Sequence, residues 1–382
     1  MTAAIADLEV PSGERYRASR ELYRRANLVI PGGVHLSGRP LLTPESSPLY
    51  IERGKGCRCW DVDGNEYIDY LMAYGAFLLG YADEAVDGAA FAQAARGNLL
   101  SLNHPLHLEF AERLIGRMPG AEMAVFMKTG SEATTAALRI ARRYTGRRKV
   151  LRCGYHGWHD WCYPDESWVP GGLNEQVLAF DARDPESLRA LLECHSGQVA
   201  AVIVAPEMVL SPARETFATL IELTREAGAV FVMDEIKTGL RIAPGSLQQY
   251  LGVTPDLTTL SKALGNGWPI AAVVGRRQVM EKSAGLHVSA TYHGETGAMA
   301  AALATLDRLD AEDVCGHVWR LGELLIDGLN AAAARHGIPA RAYGEPLPPM
   351  PFLSFAGPEP ALNDELVRTF YTEVLNLSLI HI

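Results

Sequence analysis

Three apolar runs in this sequence end on residues able to do chemistry. The run Asp256-Leu257-Thr258-Thr259-Leu260-Ser261 delivers Lys262 into Ala263-Leu264-Gly265-Asn266-Gly267. At a half-buried strand end the charged form of a lysine is disfavoured, so its amine can serve as nucleophile or base. Gly265 and Gly267 let the backbone pass close to a ligand. The run Val230-Phe231-Val232-Met233 ends on Asp234-Glu235. A carboxylate is costly to bury without a partner, so Asp234 should face a cation or a strong donor. The third run, Met123–Met127, leads into Lys128-Thr129-Gly130-Ser131-Glu132-Ala133 at the start of a helical pattern. There the backbone N–H groups of Gly130 and Ser131 suit an anion. Taken singly these features read as a surface lysine, a turn aspartate and a plain helix cap. Together and in order on one framework they describe a ligand site. Neither a GxGxxG run nor a Walker-type loop occurs, which takes support from dinucleotide and P-loop readings.

The elements that must position these residues alternate. Strands are expected at Met123–Met127, Val150–Arg152, Val199–Val204, Ala229–Met233, Leu257–Leu260 and Ile270–Val274, with helices such as Ser131–Tyr144, Pro185–Cys194 and Thr216–Glu226 between many of them. Short apolar runs separated by helices indicate an α/β fold with a buried, largely parallel sheet. Such sheets bind ligands at the carboxyl ends of their strands. Before this region, a polar helical pattern at Ser12–Val29 stops at Pro31-Gly32-Gly33, and Leu49–Leu71 reads as short strands turning at Asp63-Gly64-Asn65. Helices are expected over 84–98 and 107–117, and again over Gly297–Asp310, Cys315–His336 and Glu365–Asn376. The domains are read as 1–75, an N-terminal segment of a small α+β domain; 76–305, a large ligand-binding domain; and 306–382, the C-terminal part of the small domain. The closing apolar run Leu377–Ile382 reads as an exposed strand, and the chain is expected to be a fragment whose small domain is truncated.

Composition sets the outer limits. The 382 residues suffice for one large or two ordinary domains with a sizeable core. A net charge of −10 argues against nucleic acid as the main partner, because phosphate backbones need a basic face. The six cysteines form no CxxC pair and read as reduced thiols of a cytoplasmic protein. Met1–Glu14 lacks the apolar segment of a secretory signal, and no run is long and apolar enough to span a membrane. His156, His159 and Asp160 lack a convincing third and fourth ligand, so no metal is expected.

The stretch Asp234-Glu235-Ile236-Lys237-Thr238-Gly239, followed by Pro255-Asp256-Leu257-Thr258-Thr259-Leu260-Ser261-Lys262-Ala263, resembles the class III pyridoxal-phosphate (PLP) aminotransferases. The nearest subgroup is that of glutamate-1-semialdehyde aminomutase and related amino-acid aminotransferases. Further matches are Trp60–Asp69, Ala141–Arg147 and Tyr155-His156-Gly157, and the similarity runs from about Tyr23 to Asn376. The resemblance implies a fold type I PLP transferase in which Lys262 carries the cofactor as a Schiff base and then moves the proton between substrate and cofactor. It implies that Asp234 pairs with the pyridinium nitrogen and keeps the ring an electron sink. Gly130 and Ser131 are to hold the phosphate. Tyr155 and Ile236 are to pack on the two ring faces, with Glu207 near ring and substrate. His156 is expected to orient Tyr155 or line the pocket. Thr291 is to bind the phosphate of a neighbouring subunit's cofactor, which implies a homodimer with shared sites. Arg39 matches the place where relatives bind a substrate carboxylate, which a planar guanidinium can hold with two bonds.

The activity implied is ping-pong transfer of an amino group from an amino acid or amine to an oxo acid or aldehyde. The alternatives are an aminomutase-like internal shift and a PLP-binding chain with poor turnover because of truncation. Several positions depart from the family pattern. Lys128-Thr129 replaces a common Asn-Ser. Lys237 stands where relatives carry Gln or Met, and either contacts the cofactor's phenolic oxygen or points outward. The run Tyr292-His293-Gly294-Glu295-Thr296-Gly297 replaces a Ser-Gly-Asn-Pro run, so that Glu295 bears on substrate access or on acidity near the ring. Trp158, Trp161 and Trp168 either cover the site or pack in the core.

Overall fold

The apolar runs of the middle region fold as one seven-stranded sheet in the computed structural model, which describes residues 14–34, 49–162, 169, 175–206, 213–355 and 360–380. In chain order the strands are β1 (Ile51–Lys55), β2 (Arg58–Asp61), β3 (Glu66–Asp69), β4 (Met123–Met127), β5 (Lys149–Cys153), β6 (Val177–Ala179), β7 (Val199–Val204), β8 (Val230–Asp234), β9 (Leu257–Leu260), β10 (Ala271–Gly275), β11 (Ala340–Tyr343), β12 (Phe352–Phe355) and β13 (Leu379–Ile380). The large sheet has the order β4-β10-β9-β8-β7-β5-β6. Its neighbours from β9 to β6 are parallel, whereas β10 runs antiparallel to both β4 and β9. The reversal follows from chain length. Only residues 261–270 separate β9 from β10, and a parallel crossover needs a dozen residues or more.

The register gathers the strand ends. Met127 pairs with Ala271 and Leu260 with Ala272, so β4 and β9 end at the same edge. Asp234 pairs with Thr259, Val204 with Met233 and Cys153 with Val204, which brings the ends of β8, β7 and β5 to that edge too. The chain leaves β4 at one side of the sheet and re-enters as β5 at the other. This is a switch in strand order, the place where open α/β sheets leave a crevice.

Helix Gly130–Thr145 makes that crossing. It buries an alanine-rich face (Ala133, Ala136, Ala137, Ala141) with Leu138 and Ile140 against Val150, Ile203, Val232 and Val273. Small side chains let helix and sheet approach closely, and Gly146, at φ 71°, ends the helix in the left-handed conformation glycine tolerates. On the opposite face Leu188, Phe217 and Leu220 pack against Leu151, Val202, Phe231 and Met233. Each such fully buried large aliphatic or aromatic side chain stabilises the sheet by about 1.5–3 kcal/mol.

Strands β1, β2, β3 and β13 form a separate sheet. Part of the C-terminal run expected to be an exposed strand is paired: Leu379–Ile380, as β13, lies parallel to β3, Ile68 N donates to Ser378 O at 2.9 Å and Ile380 is buried, while Leu377 is exposed. Among the described residues no helix is long and apolar enough to cross a membrane.

Candidate active site

Strand periodicity explains why two adjacent carboxylates do different things. Val230, Val232 and Asp234 alternate onto the face covered by helix Gly130–Thr145, and Phe231, Met233 and Glu235 onto the other. Asp234 is buried on the site side. Thr259 Oγ1, directly opposite in register, donates to Asp234 Oδ1 at 3.0 Å, and Ile236 N donates to the same oxygen at 3.2 Å. His156 Nδ1 lies 2.7 Å from Asp234 Oδ2. Facing a carboxylate, Nδ1 is assigned the proton, which leaves His156 Nε2 buried without a partner among the described residues. Of the four lone-pair sites on the carboxylate, three are taken by these donors, and one on Oδ2 is open to a further donor.

His156, expected to orient Tyr155 or line the pocket, has a completely enclosed ring whose Nδ1 meets Asp234. Trp161 stacks on it with centroids 5.9 Å apart, so this tryptophan serves the core under the site. Trp158 is exposed, and Trp168 lies outside the described residues. His159 is engaged elsewhere, its Nδ1 2.7 Å from Thr135 Oγ1.

The turn at the end of β4 meets this cluster. Thr129 and Glu132 cap helix Gly130–Thr145 reciprocally, so the capping box engages the N–H groups of Thr129 and Glu132 and not those of Gly130 and Ser131. A methyl group on Gly130 would lie 2.7 Å from Ile236 Cδ1, and one on Gly157 would collide with Ser131. Close approach and a φ of 109° therefore call for glycine at 157, whereas a larger residue at 130 would displace the Ile236 side chain. Trp158 N donates to Ser131 Oγ at 3.3 Å, and Thr134 Oγ1 to His156 O at 2.8 Å. These bonds fasten 155–158 to the first turn of the helix. Tyr155 is half exposed above the cluster, and Lys237 Nζ stands 5.4 Å over its ring.

Lys262 is half-buried two residues past the end of β9, one strand away from Asp234. Its φ of 49° is left-handed, a conformation that costs a non-glycine residue about 1–3 kcal/mol. The turn is held in place by Asn266, which sequence reasoning passed over. Asn266 Oδ1 accepts from Leu78 N at 2.9 Å and Leu79 N at 2.8 Å, and its Nδ2 donates to Gly80 O at 3.1 Å. Thr259 was passed over as well, although a threonine inside a buried apolar strand signals a polar partner.

Thr291 is exposed on the turn that precedes helix Gly297–Ala311. In the same turn, Glu295 is buried and forms an ion pair with Lys128, Nζ to Oε2 2.5 Å. The two departures from the family pattern, read separately in the sequence, are thus one pair. Arg39 and Glu207 lie outside the described residues. The remaining candidates, Gly130, Ser131, Tyr155, His156, Asp234, Ile236 and Lys262, share the carboxyl edge of the large sheet.

Glu235, on the far face, is completely buried and accepts from Leu247 N (2.6 Å), Gln248 N (2.9 Å) and Thr238 Oγ1 (3.0 Å). Burial nevertheless pushes its carboxyl up from 4.5 to about 7. The folded state therefore keeps a proton that the unfolded chain has lost, and the stabilisation present below pH 4.5 is lost as pH rises through about 7. This one group accounts for roughly 3 kcal/mol over that window. Glu235→Gln should flatten the decline, as read from urea midpoints at pH 5 and pH 8. Profiles of equal slope in the two proteins would contradict this account.

Comparison with known proteins adds to the geometry. A family model described as aminotransferase class-III matches residues 42–344. A 3-aminobutyryl-CoA aminotransferase of Cloacimonas acidaminovorans is 35% identical over 366 residues, which cover 94% of this chain and 88% of that protein. A glutamate-1-semialdehyde 2,1-aminomutase of Bacillus velezensis is 35% identical over 346 residues, 85% of this chain and 80% of that protein. Among solved structures, the FumI protein of Sphingopyxis sp. MTA144, solved carrying PLP, is 31% identical with a TM-score of 0.84, over 90% of this chain and 84% of that one. The residues at this edge fit this cofactor. They offer a buried carboxylate with one open lone pair, a helix start cleared of Cβ atoms at Gly130, and a half-buried lysine on the same sheet edge.

Proposed function

The chain belongs to the class-III aminotransferase family, and on that premise we propose that it transfers an amino group in two half-reactions at the edge where Lys262, Asp234 and Gly130-Ser131 meet. Bound PLP supplies an electron sink for the carbon that loses and regains its proton. Lys262 Nζ would hold the cofactor and, when its amine is free, would carry a proton away from the substrate carbon and return it. Asp234, braced by Thr259 and His156, offers the open lone pair of Oδ2 to the ring nitrogen. The N–H groups at Gly130 and Ser131, with the Ser131 hydroxyl, hold the phosphate at the positive end of the helix. Tyr155 and Ile236 would pack on the ring's two faces, and the family resemblance assigns Glu207 a role near ring and substrate. The observation that carries this reading is the register of Asp234 on Thr259, one strand from the turn that presents Lys262.

For the substrate we propose a carboxylate-bearing donor recognised by Arg39, whose amine lies away from the α-carbon: a β- or γ-amino acid or an amino aldehyde. The relative acting on a 3-aminobutyryl thioester supports an amine at that distance. The aminomutase relatives support a second reading, an internal amine shift. The partner we propose is a second copy of this chain. Leu99, Leu100, Leu102, Leu108 and Tyr292 are exposed beside the Thr291 turn, where Thr296 N bonds Asn98 O and His107 bonds Gly294 O. An apolar patch of this kind calls for a partner, and Thr291 would then reach the neighbouring site. Six unpaired cysteines and a net negative charge fit a cytoplasmic enzyme of small molecules.

The half-reactions separate the readings. With amino donor and no acceptor, the yellow holoenzyme should bleach once and release one oxo product per site. An internal shift would instead convert substrate to its isomer through many turnovers without acceptor. No spectral change with any donor of a broad panel would contradict amino transfer altogether.

A further inference from the structure

Lys128 and Glu295 are the two least expected residues near the site, and they face each other. Both side chains are about 90% enclosed, with Nζ 2.5 Å from Oε2 and 3.4 Å from the Glu295 carbonyl oxygen. Removing two charges from water costs more than a surface pair returns, so such pairs serve registry better than bulk stability. The positions they join make the registry clear. Lys128 opens the turn that leads to Gly130 and Ser131, and its backbone N–H is held by Glu132 Oε2 at 3.0 Å. Glu295 closes the turn that carries Thr291, and its carboxylate also receives Ala298 N (3.1 Å) in the first turn of helix Gly297–Ala311. A second contact runs alongside, His293 Nε2 to Glu132 Oε1 at 3.6 Å.

We propose that Lys128 and Glu295 form a positioning clasp for the cofactor phosphate, holding the Gly130-Ser131 turn and the Thr291 turn in one register. The proposal rests on the phosphate role given above to Gly130 and Ser131. Neither residue of the pair touches the cofactor; both act through the backbone turns they join. The clasp ties a phosphate cup to the turn offered to the neighbouring subunit, so loosening it disturbs both cups together.

The test compares affinity for PLP with affinity for pyridoxal, which lacks the phosphate, in Lys128→Met, Glu295→Gln, the double variant and Ser131→Ala. Glu295→Gln keeps an oxygen for Ala298 N, so it removes the charge pair and spares the helix cap. Each single variant of the pair should weaken PLP binding by roughly tenfold or more and leave pyridoxal binding within about twofold. The double variant should be no worse than either single, because no lone buried charge remains. A merely structural role would weaken both ligands alike, or lower thermal stability with the ratio unchanged, and would overturn the proposal. So would tighter PLP binding in Glu295→Gln, which would make Lys128 a direct phosphate ligand held back by Glu295. Loss in Ser131→Ala with no loss in the pair variants sinks the clasp alone. No loss in any of the variants sinks the phosphate assignment with it.

Discussion

Lys262→Ala should abolish turnover, lowering kcat by about 10^4-fold or more, while the protein stays folded and still binds PLP without covalent attachment. The size of the loss follows from the two tasks proposed for one amine, holding the cofactor and moving the proton, and proton transfer by a placed side chain alone contributes about 10^2–10^4. Folding should be spared because the strain at residue 262 resides in its backbone, at φ 49°. Alanine keeps the Cβ that makes this conformation costly, so it neither adds nor relieves strain. The neighbouring turn is held by Asn266 and by the Ser261 hydroxyl on Ile270 O at 3.0 Å, neither of which involves the lysine side chain. Single-turnover absorbance with an amino donor measures the effect. A variant that retains more than a few per cent of the parent rate would remove Lys262 from the reaction.

Asp234→Asn should lower kcat by about 10^2–10^3 with a much smaller change in substrate affinity, as expected for a charge that matters most in the transition state. The substitution removes the negative charge proposed to face the ring nitrogen, and it also sets donor against donor. Asparagine keeps one oxygen for Thr259 and Ile236, and turns its NH2 toward His156 Nδ1. To relieve that clash His156 must move its proton to Nε2, which has no partner in its buried position among the described residues. Part of the loss is therefore a stability cost of about 1–3 kcal/mol for an unsatisfied buried donor. Steady-state kinetics beside thermal unfolding separates the two effects. An unchanged kcat in a less stable protein would reduce Asp234 to a structural residue.

Much of this site could be read from the sequence because strand chemistry is local. A run of four apolar residues ending on Asp234, and another ending near Lys262, place their side chains by periodicity alone. Parity then sends Asp234 to the face under helix Gly130–Thr145 and Glu235 to the other. What escaped depends on contacts between distant segments. The grip of His156 on Asp234 spans 78 residues, and the Lys128–Glu295 pair spans 167. No local pattern encodes either, and two oddities in separate motifs do not announce that they neutralise each other. The reversal of β10 lay between these extremes. It was present in the length of the link from β9, but the apolar content of β10 is the same for a parallel or an antiparallel strand. The pairing of Leu379–Ile380 with β3 likewise joins residues more than 300 apart, Ile68 with Leu379.

Which amine holds the cofactor decides the reaction, and Lys262, Lys237 and Lys128 all stand at this edge of the sheet. Lys262 stands on the turn after β9, and Lys237 lies over the Tyr155 ring at the same edge. Borohydride reduction of the yellow holoenzyme fixes the cofactor to whichever amine carries it, and peptide mass spectrometry then locates the mark. The account predicts a single modified peptide with the label on Lys262 and a colourless, inactive product. Label on Lys237, or a protein left unlabelled, would contradict it.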